Sequence, residues 1–174
     1  MNSLPKISVI ICTYNHAQYI KKAIDSVLNQ TYQDFEIIVV DDGSTDNTKN
    51  IVNHFGNSIK YIYQDNRGLA SARNTGIHAS KGEFVTFLDA DDYYLKENLK
   101  IKILFLENNP QVSWVYSDWQ YLDEKGNYLE KGSVRFSYAN KQLNNKLFER
   151  LLYKRNFISC CAAVVKKSIL EDVG

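Results

Sequence analysis

Residues 7–15 read Ile7-Ser8-Val9-Ile10-Ile11-Cys12-Thr13-Tyr14-Asn15. The first six are nearly all apolar and mostly β-branched, without the alternation of a strand that has one wet face. A run of this kind is a strand covered on both sides, and such strands belong to parallel sheets with helices above and below. The polar triplet Thr13-Tyr14-Asn15 closes the run. In open α/β sheets ligands bind beyond the carboxyl ends of the strands. The residues that follow each strand are therefore where chemistry is sought.

Working outward, Ile20, Ile24, Val27 and Leu28 recur at helical spacing. Phe35 to Val40 is a second buried strand, and Asp46 to Phe55 a short helix with Asp46 placed to cap it. Ile59 to Tyr63 is a third strand. Asn66-Arg67-Gly68 opens a helix of small residues from Leu69 to Ala79, and Glu83 to Leu88 is a fourth strand. Leu95, Leu99, Ile103 and Leu106 mark a longer helix that stops near Asn108-Asn109-Pro110. Val112 to Ser117 is a fifth strand. Gln120 to Leu129 reads as a β-hairpin around Asp123-Glu124-Lys125-Gly126. A helix around Leu143 to Tyr153 and an apolar segment from Ile158 to Val165 follow. The β-α-β-α-β order predicts an α/β fold: a mostly parallel sheet with flanking helices, and a hairpin toward the C-terminal part.

A chain of 174 residues suits one such domain. Hydrophobic residues make up 44% and charged residues 24%, the balance of a soluble globular protein. The 21 basic and 20 acidic residues leave a formal charge of +1, which gives no electrostatic case for nucleic acid. Cys12, Cys160 and Cys161 have no CxxC spacing and no nearby histidine; they read as small buried thiols in a reducing compartment. No stretch approaches the ~20 apolar residues of a membrane span. The expected location is the cytoplasm, and peripheral association with the cytoplasmic face of a membrane is compatible with it. His16, His54 and His78 are scattered and are given no ligand role.

Four strand ends carry polar residues: Thr13-Tyr14-Asn15, Asp41 to Asp46, Asn66-Arg67-Gly68 and Asp89-Ala90-Asp91-Asp92. Thr13, Tyr14 and Asn15 can hold a base by stacking and hydrogen bonds, or Thr13 or Asn15 can cap the next helix. Asp41-Asp42-Gly43-Ser44 offers a carboxylate for a base N–H or a ribose hydroxyl, or forms a turn with an Asx cap. Arg73, among small neighbours, can reach a diphosphate, or can pair with an ordinary acid. Asp89 and Asp91, two apart in extended chain, project to one side. Two adjacent carboxylates repel unless a cation or proton sits between them, and oxygen-only ligands suit Mg²⁺ or Mn²⁺. The competing role for this cluster is a helix cap before Leu95, with Asp92 the best suited.

The sequence also resembles glycosyltransferase family 2. The resemblance is carried by Val9-Ile10-Ile11-Cys12-Thr13-Tyr14-Asn15, then Ser26-Val27-Leu28-Asn29-Gln30-Thr31-Tyr32, then Glu36 to Asp46 with its Asp41-Asp42-Gly43-Ser44. Asn66-Arg67-Gly68-Leu69-Ala70-Ser71-Ala72-Arg73-Asn74-Thr75-Gly76 and Gly82 to Asp92 complete it. It is dense to Tyr94 and looser beyond.

The resemblance implies a GT-A fold and an inverting transfer from a nucleotide-diphosphate sugar, usually UDP-linked, to a carbohydrate or lipid-linked acceptor hydroxyl in polysaccharide or glycoconjugate synthesis. By position it implies nucleoside contacts from Thr13, Tyr14 and Asp42, with Asp42 favoured over Asp41. It places Arg73 near the nucleotide, Asp91 on a Mn²⁺ or Mg²⁺ ion, and Asp89 on the ion, ribose or sugar. Residues 1–94 are then the nucleotide and metal part, and residues 95–174 the start of the acceptor side, where Asp118 and Trp119 lie. The family's base is an aspartate in a Glu-Asp pair beyond a Gly-Phe-Asp-like segment. Ser168 to Gly174 resembles the stretch just before it, so the chain reads as truncated, with its base expected beyond Gly174. Glu171-Asp172 mimics that pair but is not assigned. On this expectation the chain binds nucleotide and metal but turns over poorly.

Other enzyme classes fit less well. A DxD phosphoryl-transfer enzyme needs Thr or Val where Tyr93 and Tyr94 stand. Nucleotidyltransferases and NAD enzymes need glycines where Thr13-Tyr14-Asn15-His16 stands.

Overall fold

The structure is a computed structural model that describes residues 4–123, 126–129 and 158–173. Its strands are β1 (Ile7–Thr13), β2 (Phe35–Asp41), β3 (Lys60–Tyr63), β4 (Phe84–Asp89), β5 (Trp114–Tyr116) and β6 (Ala163–Lys166). The helices are α1 (Ala17–Leu28), α2 (Thr48–Asn53), α3 (Leu69–Ala79), α4 (Asn98–Asn108) and α5 (Lys167–Val173), with short 3₁₀ turns at Gly56–Ser58 and Cys160–Ala162. The strands lie in the order β3-β2-β1-β4-β6-β5. β1, β2, β3 and β4 are parallel, whereas β6 runs antiparallel to both of its neighbours. The sheet is thus mostly parallel, with one reversed strand toward its far edge.

β1 has both faces covered, as its apolar run requires. Ile7, Val9 and Ile11 enter a core with Ile20, Ile24 and Val27 of α1 and Leu99, Ile103 and Leu106 of α4. Ile10 and Cys12 point the other way, into a smaller core with Ile38, Val40, Val85 and Ala72 of α3. Small residues bring α3 close to the sheet. A Cβ added at Gly76 would lie 2.4 Å from Ile10 Cγ2, so only glycine fits there without a shift.

Three expectations shift at their edges. Leu95 is not on the long helix: it stands exposed in the turn before α4. β5 is shorter than Val112 to Ser117. The apolar segment from Ile158 divides into the 3₁₀ turn and β6. The hairpin holds through the Leu122–Tyr128 bridge. The helix expected around Leu143 to Tyr153 lies outside the described residues. Among the described residues no helix is long and apolar enough to cross a membrane.

Candidate functional site

The sheet register sets the site. Thr13 pairs with Asp41 across β1 and β2, and Cys12 pairs with Asp89 across β1 and β4. Three adjacent strands therefore end at one level, about 4.8 Å apart. Thr13, Asp41 with the following Asp42, and Asp89 are brought side by side from positions far apart in sequence.

The loops after β1 and β2 are tied together. Asn15 adopts a left-handed backbone, φ 56°, which asparagine tolerates better than most residues. Its N–H donates to Ser44 Oγ at 2.9 Å, and its Oδ1 accepts from the Thr45 N–H at 2.8 Å. Neither Thr13 nor Asn15 caps α1. Asp46 does so from the neighbouring loop, Oδ2 accepting from the Ala17 N–H at 3.0 Å and Oδ1 from the Thr48 N–H at the start of α2. One carboxylate so caps two helices, and those hydrogen bonds hold it below the usual carboxylate range although desolvation opposes them. Asn15 is thus spent on loop geometry. Thr13 Oγ1 is buried and has no hydrogen-bond partner among the described residues, and Tyr14 is 48% exposed beside it.

Asp41 and Asp42 divide the work. Asp41 is fully buried, with Oδ1 accepting from the Ser44 N–H at 2.8 Å and Oδ2 from the Tyr61 hydroxyl at 2.7 Å. It closes the turn and anchors β3. Asp42 gathers the loop that opens α3: Oδ1 accepts from Gln64 Nε2 and the Arg67 N–H, Oδ2 from the Gly68 N–H. A carboxylate has about four acceptor positions, so Asp42 retains one for a ligand. Gly43, at φ 85°, lets the chain turn there; a Cβ would meet the Asn66 backbone nitrogen at 2.8 Å.

Asp89 ends β4 and meets three side chains. Arg73 Nη2 of α3 donates to its Oδ1 at 3.1 Å and lies 2.8 Å from Cys160 Sγ. Cys161 Sγ lies 3.1 Å from Asp89 Oδ2. Arg73 therefore pairs with Asp89 before any ligand is considered. Cys161 is buried as expected, but Cys160 is only half-buried. The hydrogen bond with Cys161 holds the Cys160 thiol down at about 7, against burial and the Asp89 charge; the same pairing and burial push Cys161 up.

The capping role for Asp89-Ala90-Asp91 does not apply, because α4 begins only at Asn98. Ala90 is buried in the core beneath α1 and α4, while Asp91 and Asp92 are exposed. Two residues without an evident role in the sequence hold this turn. Gln30 is 2% exposed; its amide donates to the Ser26 and Leu95 carbonyls and accepts from the Leu99 N–H. The buried Tyr94 takes the Ser26 hydroxyl on its N–H and places its own hydroxyl between Thr86 Oγ1 and the Phe87 carbonyl. The run Asn29-Gln30-Thr31 is the only sequence signal of this clamp.

The model of the family "Glycosyl transferase family 2" matches residues 8–174. The chain belongs to glycosyl transferase family 2. A relative from Rickettsia typhi, an uncharacterized glycosyltransferase, is 37% identical over 98% of this chain and 53% of its own length. One from Nostoc, also an uncharacterized glycosyltransferase, is 48% identical over 83% of this chain and 46% of its own. Among solved structures, S. aureus TarS residues 1–349 in complex with UDP-GlcNAc superposes with a TM-score of 0.70 at 25% identity, covering 97% of this chain and 47% of that TarS fragment. This family 2 chain thus spans about half the length of these two relatives, and its α/β sheet is that of the GT-A glycosyltransferases.

The acidic turn of this family 2 chain suits a hard cation. Asp91 and Asp92 form no ion pair among the described residues, and Asp89 has one oxygen on Arg73. Desolvation first, then the charges of Asp89 and Asp91, raise Asp92 above the usual carboxylate range, a hydrogen bond with Cys161 opposing them. Beyond the end of β4, Asp91 and Asp92 offer oxygen donors of the kind that Mg²⁺ or Mn²⁺ takes from a protein. Asp89, Cys160 and Cys161 also form a tight group of potential ligand atoms.

Proposed function

We propose that the chain forms the donor-binding part of a transferase that moves a sugar from a nucleotide-diphosphate sugar, UDP-linked, to an acceptor hydroxyl with inversion. The observation that carries this reading is the convergence of Thr13, Asp42 and Asp89 at the ends of three adjacent strands. The bound UDP-GlcNAc of TarS supports the choice of donor class.

Each residue then has a task. Tyr14, half exposed at the end of β1, stacks on the base, while Asp42 accepts from the base or ribose with its remaining lone pair. Thr13 Oγ1, buried without a partner among the described residues, hydrogen-bonds the nucleoside once a ligand and a small loop shift reach it. Arg73 orients Asp89 and adds positive charge near the diphosphate. Asp91 is the principal metal ligand, with Asp89 on the metal, ribose or sugar. A bound Mn²⁺ or Mg²⁺ supplies Lewis-acid neutralisation of the departing diphosphate. The acceptor is a carbohydrate or lipid-linked hydroxyl of polysaccharide or glycoconjugate synthesis, in the cytoplasm or at its membrane face. No described residue is assigned as the base: Glu171 pairs with Lys167 at 3.3 Å, and Asp172 follows it on α5.

The test is calorimetric titration with UDP, with and without Mn²⁺. The reading expects Mn²⁺ to tighten UDP binding and Asp91→Ala to remove that gain. Equal affinity under both conditions, unchanged by Asp91→Ala, overturns the metal-bridged site.

A further inference from the structure

We propose that Asp89, Cys160 and Cys161 form a second kind of metal site, selective for a thiophilic divalent cation such as Zn²⁺ or Cd²⁺, which overlaps the donor site. The two Sγ atoms are 3.9 Å apart, and Asp89 Oδ2 lies 3.1 Å from Cys161 Sγ and 4.0 Å from Cys160 Sγ. Tetrahedral zinc, with bonds near 2.3 Å to sulfur and 2.0 Å to oxygen, sets edges of about 3.8 Å between sulfurs and about 3.5 Å between sulfur and oxygen. The three atoms already have the size of one face of that tetrahedron.

The ligands also come from a held frame. Cys160 and Cys161 sit in the turn that leads into β6, and β6 is bonded in register to β4. Thr86 Oγ1 donates to the Ala163 carbonyl at 2.7 Å, which fastens the turn to the strand bearing Asp89. Sites on paired strands keep their geometry better than sites on free loops.

Charge balance agrees. Arg73 occupies Asp89 Oδ1, leaving Oδ2 for the ion, and its guanidinium already lies against Cys160. Two thiolates and one carboxylate carry three negative charges; a divalent ion and Arg73 carry three positive ones, while Asp92, beside Cys161, is exposed to water. Arg73 then acts as the outer partner that orients a ligating carboxylate. Binding forms two metal–sulfur bonds and one metal–oxygen bond, and the two thiol protons pass to solvent. Two sulfur donors favour Zn²⁺ over Mg²⁺ or Mn²⁺, which prefer oxygen. Asp89 held this way is withdrawn from the donor, a consequence that rests on the donor reading above.

The experiment titrates Cd²⁺ into the reduced 174-residue chain in chelator-free buffer and follows thiolate-to-cadmium charge-transfer absorbance. One equivalent is expected to bind. Cys160→Ser or Cys161→Ser should each weaken binding at least about 10-fold, the double variant should lose the band, and Cys12→Ala should keep it. No band from the folded wild type, or a band that survives in the double variant, overturns the site. Circular dichroism checks folding. Should a cysteine variant not fold, Asp89→Asn takes its place: about 10-fold weaker Cd²⁺ binding with the band retained supports the site, and unchanged affinity overturns it. UDP affinity measured with and without Zn²⁺, against the double variant as reference, tests the overlap. At least about 10-fold weaker UDP binding is expected; Cd²⁺ binding with UDP affinity unchanged by Zn²⁺ overturns the overlap. A chain that binds Cd²⁺ but no UDP refutes the donor reading and supports the cation site.

Discussion

Arg73 on α3 and Asp89 at the end of β4 form an ion pair, Nη2 to Oδ1, at 3.1 Å. Both side chains are partly open to water, so the pair adds only about 0.5 kcal/mol to stability. Its main effect is to hold Asp89 still and leave Asp91 as the free carboxylate. Arg73→Met should therefore lower the melting temperature by a few degrees at most while weakening UDP binding about 10-fold. Calorimetry of both quantities on one preparation separates the two effects.

Asp42 should matter twice. Asp42→Asn puts an amide N–H where an acceptor must face the Gln64, Arg67 or Gly68 donors. A loss of about 1–3 kcal/mol is expected from an unmatched buried donor, read from urea denaturation. UDP binding should fall with it. Asp41→Asn should destabilise to a similar degree, since it faces the Ser44 N–H and Tyr61.

Gly76→Ala tests the close approach of α3 to β1. The new Cβ meets Ile10 Cγ2 at 2.4 Å, an overpacking expected to cost about 1–3 kcal/mol. Ile10→Ala opens a cavity on its own. Combined with Gly76→Ala it should cost less than the sum of the two, and the coupling in a double-mutant cycle measures the contact.

Much of this was written in the sequence, and the reasons are local. Ile7 to Cys12 declares a strand covered on both faces because every side chain on it is small enough and mostly apolar. Strand ends follow from where apolar runs meet Thr13, Asp41 and Asp89. Leu95 misled because its helical spacing to Leu99 is real; the Gln30 amide takes its carbonyl and keeps the chain in a turn until Asn98. The reversed direction of β6 has no signature, since an apolar run reads alike in either sense. The partners of Arg73 could not be read either: Asp89 is 16 residues away and Cys160 is 87.

Lys102 gives a pH dependence. It is 3% exposed, its Nζ has no hydrogen-bond partner among the described residues, and desolvation lowers it from 10.5 to about 8, with Cys161 opposing. Below pH 8 the lysine is charged in both states, and its burial is a full penalty. Between about 8 and 10.5 the unfolded chain keeps a proton that the folded chain has released, so this contribution to stability rises with pH. The difference is about 3 kcal/mol at 1.36 kcal/mol per unit. Lys102→Met should raise stability at pH 7 and flatten that rise. Chemical denaturation of both proteins from pH 7 to 10.5 measures it as a difference, which cancels the other titrating groups.

The place of β6 between β4 and β5 also orders events in time. β5 ends at Tyr116, yet its hydrogen-bonding neighbour begins only at Ala163. During synthesis at about 5–20 residues per second, β1 to β4 emerge first and can pair among themselves. β5 must then wait for several seconds without its partner, and the outer edge of β4, which is made earlier, stays open longer still. The segment that closes this gap is the one that carries Cys160 and Cys161. Among the described residues, the last strand to join the sheet thus brings both thiols to Asp89 as it docks.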